Sequence, residues 1–511
     1  MERGRVGEAY IIAGPPHTLI DAFDVAERIT GIPAPWFHAS PGFLRAIAAL
    51  SRSERLRDLA GVTYLGNNQK ARRELGFDPR PLDDGLRETL QHEIRLLGIH
   101  SAASRARCVR NSSNKRCAFP AQFSGGDDIP HNEGQSTLFF GPWYRKSPFF
   151  EATQRAGAKA YDIYNHMYLP GLYTDPFEEY WHLINHVTLW DVSVERQVEI
   201  SGKDGAKFAE LITPRDLTKC KVGQGKYVVI TDENGGIIND PVLIRLEKNR
   251  FWLSLANSDT LLWAKGLAVN SGMDVDISEP DVSPLQVQGP DSKNVLKDLV
   301  GPAILDLGYY YFMNTTIAGI PVVITRTGWT AEVGYEVYLT DGRRGLELWD
   351  RIMEAGKKYD LRPIAPSEIR RIEGGILNYG SDMTLENNPY EVGLGWLVDL
   401  GKKADFVGKK ALAKIKKEGV KRKLVGVEIQ GPQIHAWATE FWDVKKNGKK
   451  VGHLTALTYS PRLEKNIAYA WVPIRLAKLG TRLTIATSAG ERDATVVKKP
   501  FVDPKKSIPK S

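Results

Sequence analysis

The sequence predicts an α+β protein that closes with a small antiparallel β-barrel. Three observations carry that expectation. Between about residue 145 and 400, runs with helical spacing alternate densely with runs of strand-type alternation. Beyond a Lys-rich stretch come five short runs divided by turn residues: KLVGVEIQ (423–430), KVGHLTALTYS (450–460), IAYAWVP (467–473), TRLTIATS (481–488) and DATVVKKPFV (493–502). Their spacing is that of an antiparallel barrel or sandwich. The first 98 residues read as a separate, small α/β block.

Taken in order, AFDVAERITGI (22–32) has helical spacing through Phe23, Ala26 and Ile29, and GLRETLQHEIRLLG (85–98) puts Leu86, Leu90, Ile94 and Leu97 on one face before Gly98 stops it. Residues 99–143 are rich in Ser, Asn, Arg and Gly without a sustained period, and are expected to be a disordered linker. Cys108, Cys117 and His131 fall inside it, one ligand short and too widely spaced for a zinc site, so no metal is expected. Residues 144–410 then form the main domain and 411–511 the barrel domain. At roughly 150 residues per domain, 511 residues suit about three domains.

Apolar residues make up 42% and charged residues 25%, which excludes a wholly disordered or collagen-like chain. No stretch approaches the ~18 uncharged apolar residues of a membrane span. The start of the chain lacks a signal-peptide pattern, and three cysteines suit a reducing compartment, so a cytoplasmic protein is expected. Between Lys402 and Lys423, ten Lys or Arg face two acidic residues, so this segment alone equals the net charge of +8. A nucleic-acid surface would spread its charge among aromatics. The segment reads as a solvated basic helix and linker, or as a dock for an acidic partner.

Three places carry chemistry. In KYVVITDENGGIINDPVLIRL (226–246), two alternating runs flank a hairpin turn, and Ile238, Asp240, Val242 and Ile244 share a face. An Asp between apolar neighbours is costly unless it is paired or used, although it could bond the turn backbone. In VVITRTGWTAEVGYEVYLT (322–340), Glu336 and Tyr338 share a face opposite Tyr335, Val337 and Leu339. A carboxylate beside an aromatic can receive a heterocycle with adjacent N–H donors, such as a pterin; the plainer reading is a surface glutamate. In APSEIRRIEGGILNYGSDM (365–383), Pro366 opens a helix with Ile369, Ile372 and Ile376 as its stripe, and Gly374-Gly375 sits inside it, where glycine permits close packing.

YNHM (164–167), WDVS (190–193), TPRDL (213–217), NGGIINDP (234–241), QGP (288–290), RTGWTAEVGYEVY (326–338), RIEGGILNYGSDM (371–383) and NPYEVGLGW (388–396) stand in the order of the aminomethyltransferase (glycine cleavage T-protein) family, which the chain resembles from about 145 to 503. KAYDIYNHMYLP and LWDVSVERQVEI are most similar to its dimethylsulfoniopropionate-demethylating branch. The resemblance implies T-protein-like folate-binding α/β domains before the barrel, with tetrahydrofolate as cofactor. It implies Glu336, Tyr338 and Tyr227 as folate-binding residues and Asp240 as the catalytic carboxylate. The family's paired Asp-Asp is Asn239-Asp240 here, which favours transfer of a methyl group from a small sulfonium-like donor. Two enzymatic readings stay open: aminomethyl transfer from a lipoyl carrier protein, and O-demethylation of methoxy-aromatic acids. A folate-binding regulatory protein without turnover is a third. Tyr161, Tyr164, Trp181, Trp190 and Tyr309–Tyr311 could face a cationic donor or be ordinary core, and His166 reads as a bonded core histidine or a proton donor. Residues 7–98 resemble the C-terminal part of an NAD-dependent epimerase, but they lack its Gly-rich turn and its Tyr/Lys pair, so no dehydrogenase activity is expected.

Overall fold

A computed structural model describes residues 140–434, 441–488 and 490–511, with positions 25, 27, 28 and 87. The chain divides into two units, Met1–His131 and Asn132–Ser511. In the first, the helical positions Val25, Glu27, Arg28 and Arg87 fall on the two expected helices. The rest of that block, most of the 99–143 linker, Cys108, Cys117 and His131 lie outside the described residues. Ordered packing begins before the expected end of the linker: the Phe140 ring meets Phe150, Tyr161 and Tyr168 edge-on.

Two antiparallel layers build the body of the second unit. The first sheet runs Asp276–Ser278, Gln197–Ser201, Arg250–Ser254, Val242–Glu247, Gln224–Tyr227 in space. Its apolar face is covered by the helices Gly205–Ile212 and Thr260–Val269 through Phe208, Ala209, Ile212 and Ala264. The second runs Phe312–Ile317, Ile320–Thr325, Gly334–Leu339, Ser283–Gln288, Thr188–Asp191, Arg362–Pro363, with only the last pair parallel. Strand alternation sends Leu285, Val287, Tyr335, Val337 and Leu339 into the core beneath the helices Ser292–Val300 and Gly345–Gly356. The opposite face carries Tyr338 and Val323, which pack on Ile244 and Trp252 of the first sheet. Register sets Thr325, Glu336 and Gln286 side by side on three neighbouring strands.

The expected hairpin forms, but its second arm is broken. Ile237–Asn239 pairs with Ile230–Thr231, while Val242–Glu247 joins the five-stranded sheet. The break is Asp240-Pro241, because proline has no N–H for the ladder and restricts the residue before it. Asp240 therefore sits at a junction between two sheets.

The barrel is closed, in the order Arg422–Ile429, Lys465–Pro473, Lys449–Ser460, Asp443–Lys446, Arg482–Thr487, Gly490–Val497. The strand Asp443–Lys446 is not among the expected runs, its DVKK being short and charged, and the last strand ends five residues before the expected end at 502. The expected helix after Pro366 spans only Glu368–Glu373. Ser367 caps it, and Gly374 ends it with Gly375 at φ +71°. The glycine pair terminates the helix and still permits close approach: a Cβ on Gly375 would lie 3.0 Å from Pro500.

Arg371 of this helix is buried and donates to Asp382 (2.7 Å), Glu368 (2.7 Å) and the Ile376 carbonyl (3.3 Å). Asp382, also buried, accepts from Thr455 of the barrel at 2.6 Å, and its carbonyl accepts from the Trp471 indole at 3.1 Å. No helix among the described residues is long and apolar enough to cross a membrane. Asp382→Ala should leave the Arg371 charge short of an acceptor and cost about 3–5 kcal/mol, read as a lower urea midpoint; an unchanged midpoint would show that the pair does not hold the barrel.

Candidate active site

Glu336 is buried between the two sheets. Gln286 Nε2 donates to its Oε1 at 2.8 Å, and Thr327 (2.5 Å), Tyr338 (2.8 Å) and Thr325 (3.3 Å) donate to Oε2. Burial raises its carboxyl above the ordinary range, and these four donors pull it back. The reading of Glu336 and Tyr338 on one face thus holds geometrically. The surface-glutamate alternative is overturned, because every residue of Gly334–Leu339 is buried. Oε2 is filled by protein hydroxyls, so Oε1 is the oxygen with capacity for a further donor.

The same Gln286 amide reaches Glu195 Oε1 at 3.3 Å, and Ser254 donates to Glu195 Oε2 at 3.0 Å. Burial and the nearby Glu336 charge hold the Glu195 carboxyl well above the ordinary range. Glu195 lies within the WDVSVERQVEI run and is not among the candidates that the sequence alone offers. Gln286 and Gln288, alternating with Leu285 and Val287 in a wholly buried strand, were the signal available in sequence.

Asp240 accepts from the Tyr227 hydroxyl at 2.7 Å. Burial, with a smaller contribution from Asp382, pushes its carboxyl up to about 7. The turn-bonding alternative fails, since Asp232 takes the turn amides of Asn234 and Gly236. Burial and the Asp240 charge raise the Tyr227 hydroxyl. The Tyr227 ring lies 6.3 Å from Trp396, over which Arg215 stacks at 5.3 Å. Asn239 is fully buried: its Nδ2 donates to Ala256 O (2.9 Å) and Ser258 Oγ (2.8 Å), and its Oδ1 accepts from Ala256 N (3.0 Å). Among the aromatics expected to face a cationic donor, Tyr164 lies within electrostatic reach of both Asp240 and Glu195, and Tyr309 and Tyr310 within reach of Glu336. Trp190 is core, Trp181 is exposed, and Tyr161 packs on Phe140 and Phe150.

Other expectations are corrected. His166 is exposed at a turn with φ +63° and meets Asp259 at 3.3 Å, because the tight Asn165-His166 hairpin holds it outside the core. The basic segment is not uniformly solvated. Lys402 is buried against Glu210 at 2.6 Å and Lys409 lies over Phe406, while Lys410, Lys414, Lys416 and Lys417 are exposed. Among the described residues, His182, His186 and Asp360 could share a cation, but Arg362 already binds both Asp360 oxygens. A cavity of about 310 Å³ is lined by Gln197, Arg196, Ser258 and Glu279 among others, and not by Glu336 or Asp240.

Residues 149–402 match the GCVT N-terminal domain, and 422–503 the glycine cleavage T-protein C-terminal barrel domain. The chain is 37% identical over 352 residues to dimethylsulfoniopropionate demethylase DmdA of Ruegeria pomeroyi, covering 69% of this chain and 96% of that one. It is 34% identical over 364 residues to the aminomethyltransferase of Thermotoga maritima, covering 70% and 97%. The aminomethyltransferase T structure of the Bartonella henselae glycine cleavage system superposes with a TM-score of 0.64 at 25% identity, covering 70% and 98%. These matches give no support to the epimerase resemblance of residues 7–98.

The raised Asp240 carboxyl has a consequence for stability. A carboxyl harder to ionise in the fold than in the unfolded chain removes stability as pH rises from the ordinary carboxylate range through about 7. Asp240→Asn should therefore melt above the parent at pH 8, with the gap closing toward pH 5. A gap independent of pH in thermal scans would refute this.

Proposed function

The chain belongs to the glycine cleavage T-protein family of tetrahydrofolate-dependent one-carbon transferases, and from that premise we propose that it moves a methyl group from a small donor of the dimethylsulfoniopropionate kind to N5 of tetrahydrofolate. The observation that carries this reading is the character of the pocket. Asp240, Glu195 and Glu336 are surrounded by tyrosines and hydroxyls, and among the described residues no Lys, Arg or His lies within ion-pair distance of any of them. Such a pocket suits N–H donors and cations. A methoxy-aromatic acid would bring a carboxylate with no compensating cation, whereas the sulfonium centre of a dimethylsulfoniopropionate-like donor offsets its own carboxylate.

The residues fit a pterin. Glu336 Oε1 has a lone pair to receive a ring N–H, and Tyr227 and Tyr310 offer aromatic faces beside the carboxylates. When bound, tetrahydrofolate supplies a secondary amine that takes the methyl group while sulfur keeps the electron pair of the broken bond. Asp240, held by Tyr227, provides a fixed negative charge where positive charge builds up, and with its carboxyl near 7 it can accept the released proton. In this reading residues 144–410 bind folate, 411–511 form the supporting barrel, and the enzyme works in the cytoplasm. Aminomethyl transfer from a lipoyl carrier protein is the second reading, favoured by the exposed lysines of the helix Lys409–Glu418, which could meet an acidic carrier.

Purified protein given tetrahydrofolate and a donor panel decides between them: 5-methyl-tetrahydrofolate supports methyl transfer, and methylene-tetrahydrofolate with ammonia supports the carrier-linked reaction. Glu336→Gln should weaken tetrahydrofolate binding at least tenfold, in line with the roughly 1.5–3 kcal/mol of a charged hydrogen bond; unchanged calorimetry would remove Glu336 from the folate site. Asp240→Asn should bind tetrahydrofolate nearly normally and lose about 10²–10³ in turnover. Parent turnover should fall as pH drops below about 7, where Asp240 takes up its proton. A flat profile from pH 6 to 8 would count against a charged Asp240.

A further inference from the structure

We infer that Glu195, with the neighbouring Gln197 carbonyl oxygen, forms the subsite that selects a positively charged donor, a small sulfonium; the inference rests on the methyl-transfer reading above. Glu195 and Glu336 share one amide, Gln286 Nε2, at 3.3 and 2.8 Å, yet they are supplied unequally. Glu336 receives four donors, whereas Glu195 has Ser254 and the longer Gln286 contact. Two carboxylates this close are costly without a cation to divide them.

The cation nearest in sequence turns away. Arg196 gives its Nε (3.0 Å) and Nη2 to Glu279, which also holds Arg145. The acceptor surface extends to Gln197, which is 1% exposed. Its Nε2 donates to Ser254 Oγ at 3.0 Å and to the Glu195 carbonyl at 2.5 Å, while its Oε1 is buried with no partner among the described residues. Gln197 is also among the residues that line the 310 Å³ cavity.

A sulfonium has no N–H or O–H. It can be recognised only through its charge, its polarised methyl groups and aromatic faces. Carboxylate and carbonyl acceptors short of donors, with Tyr164 and Tyr338 in electrostatic reach of Glu195, meet those needs. A neutral thioether, the product left after methyl loss, gains nothing from that charge and is free to leave. The groups facing Glu195 are Glu336 and Tyr338 on one strand, Ser254 on another, and Tyr164 on the hairpin. None is cationic, so a bound cation would draw off any proton held by Glu195, and donor affinity should rise with pH.

The test uses the full chain, Glu195→Gln and Glu195→Asp, with dimethylsulfoniopropionate and its neutral-sulfur counterpart 3-(methylthio)propionate as probes. Calorimetry should show that the parent prefers the sulfonium and that Glu195→Gln loses this preference by at least tenfold. Glu195→Asp should retain part of it, and tetrahydrofolate affinity should stay within twofold in both variants. In kinetics, Glu195→Gln should raise KM for the sulfonium with kcat nearly unchanged. A parent without preference, a parallel loss of both probes, or a loss confined to tetrahydrofolate would overturn the assignment. If the parent binds the sulfonium selectively through Glu195 but transfers no methyl, the methyl-transfer reading fails while the cation subsite stands.

Discussion

Arg371 is a guanidinium with almost no access to water, and much of the structure is arranged to supply it with acceptors. Two carboxylates and a backbone carbonyl accept its hydrogen bonds, and the rings of Trp329 and Tyr469 lie 5.7 and 6.0 Å away. One of those carboxylates, Asp382, is anchored by two barrel strands through Thr455 and Trp471. The loop bearing Asp382 also carries Tyr379, whose hydroxyl donates to Ile237 O at 2.8 Å, three residues before Asp240. The C-terminal barrel is thus mechanically part of the site, although no barrel residue stands among the three carboxylates.

The two halves of the interior handle charge differently. Around Arg370 and Arg371, opposite charges are paired: Glu332 lies 2.7 Å from Arg370, and Asp382 2.7 Å from Arg371. Around Glu336, Glu195 and Asp240, negative charge is met only by neutral donors. Neutral hydrogen bonds lower the desolvation cost of a carboxylate without cancelling its field. In their ionised forms these carboxylates keep a field that a cationic ligand can meet.

The parts of the fold readable in the sequence were those governed by local period. Alternation in 322–340 placed Glu336 and Tyr338 on one face, and short runs with turns announced the barrel. What escaped depended on partners far along the chain. Glu195 acquires its character from Gln286 and Glu336, 91 and 141 positions away, and no local pattern reports that proximity. Alternation alone puts Asp240 within a strand, whereas Pro241 interrupts the ladder and leaves Asp240 just beyond the strand end. The Gly374-Gly375 pair was read as a packing device within a helix, when the positive φ of Gly375 makes it also the terminator. His166 needed the hairpin geometry that exposes it.

Asn239 bears on which side chains its position can hold. Its amide meets Ala256 from both sides, Nδ2 donating a hydrogen bond to the carbonyl and Oδ1 accepting one from the N–H. A carboxylate at this position could satisfy the N–H with one oxygen but would set the other against the carbonyl. Asn239→Asp would therefore require the Ala256–Ser258 loop to move as well, which ties the identity of residue 239 to the course of a chain segment 17 to 19 positions away.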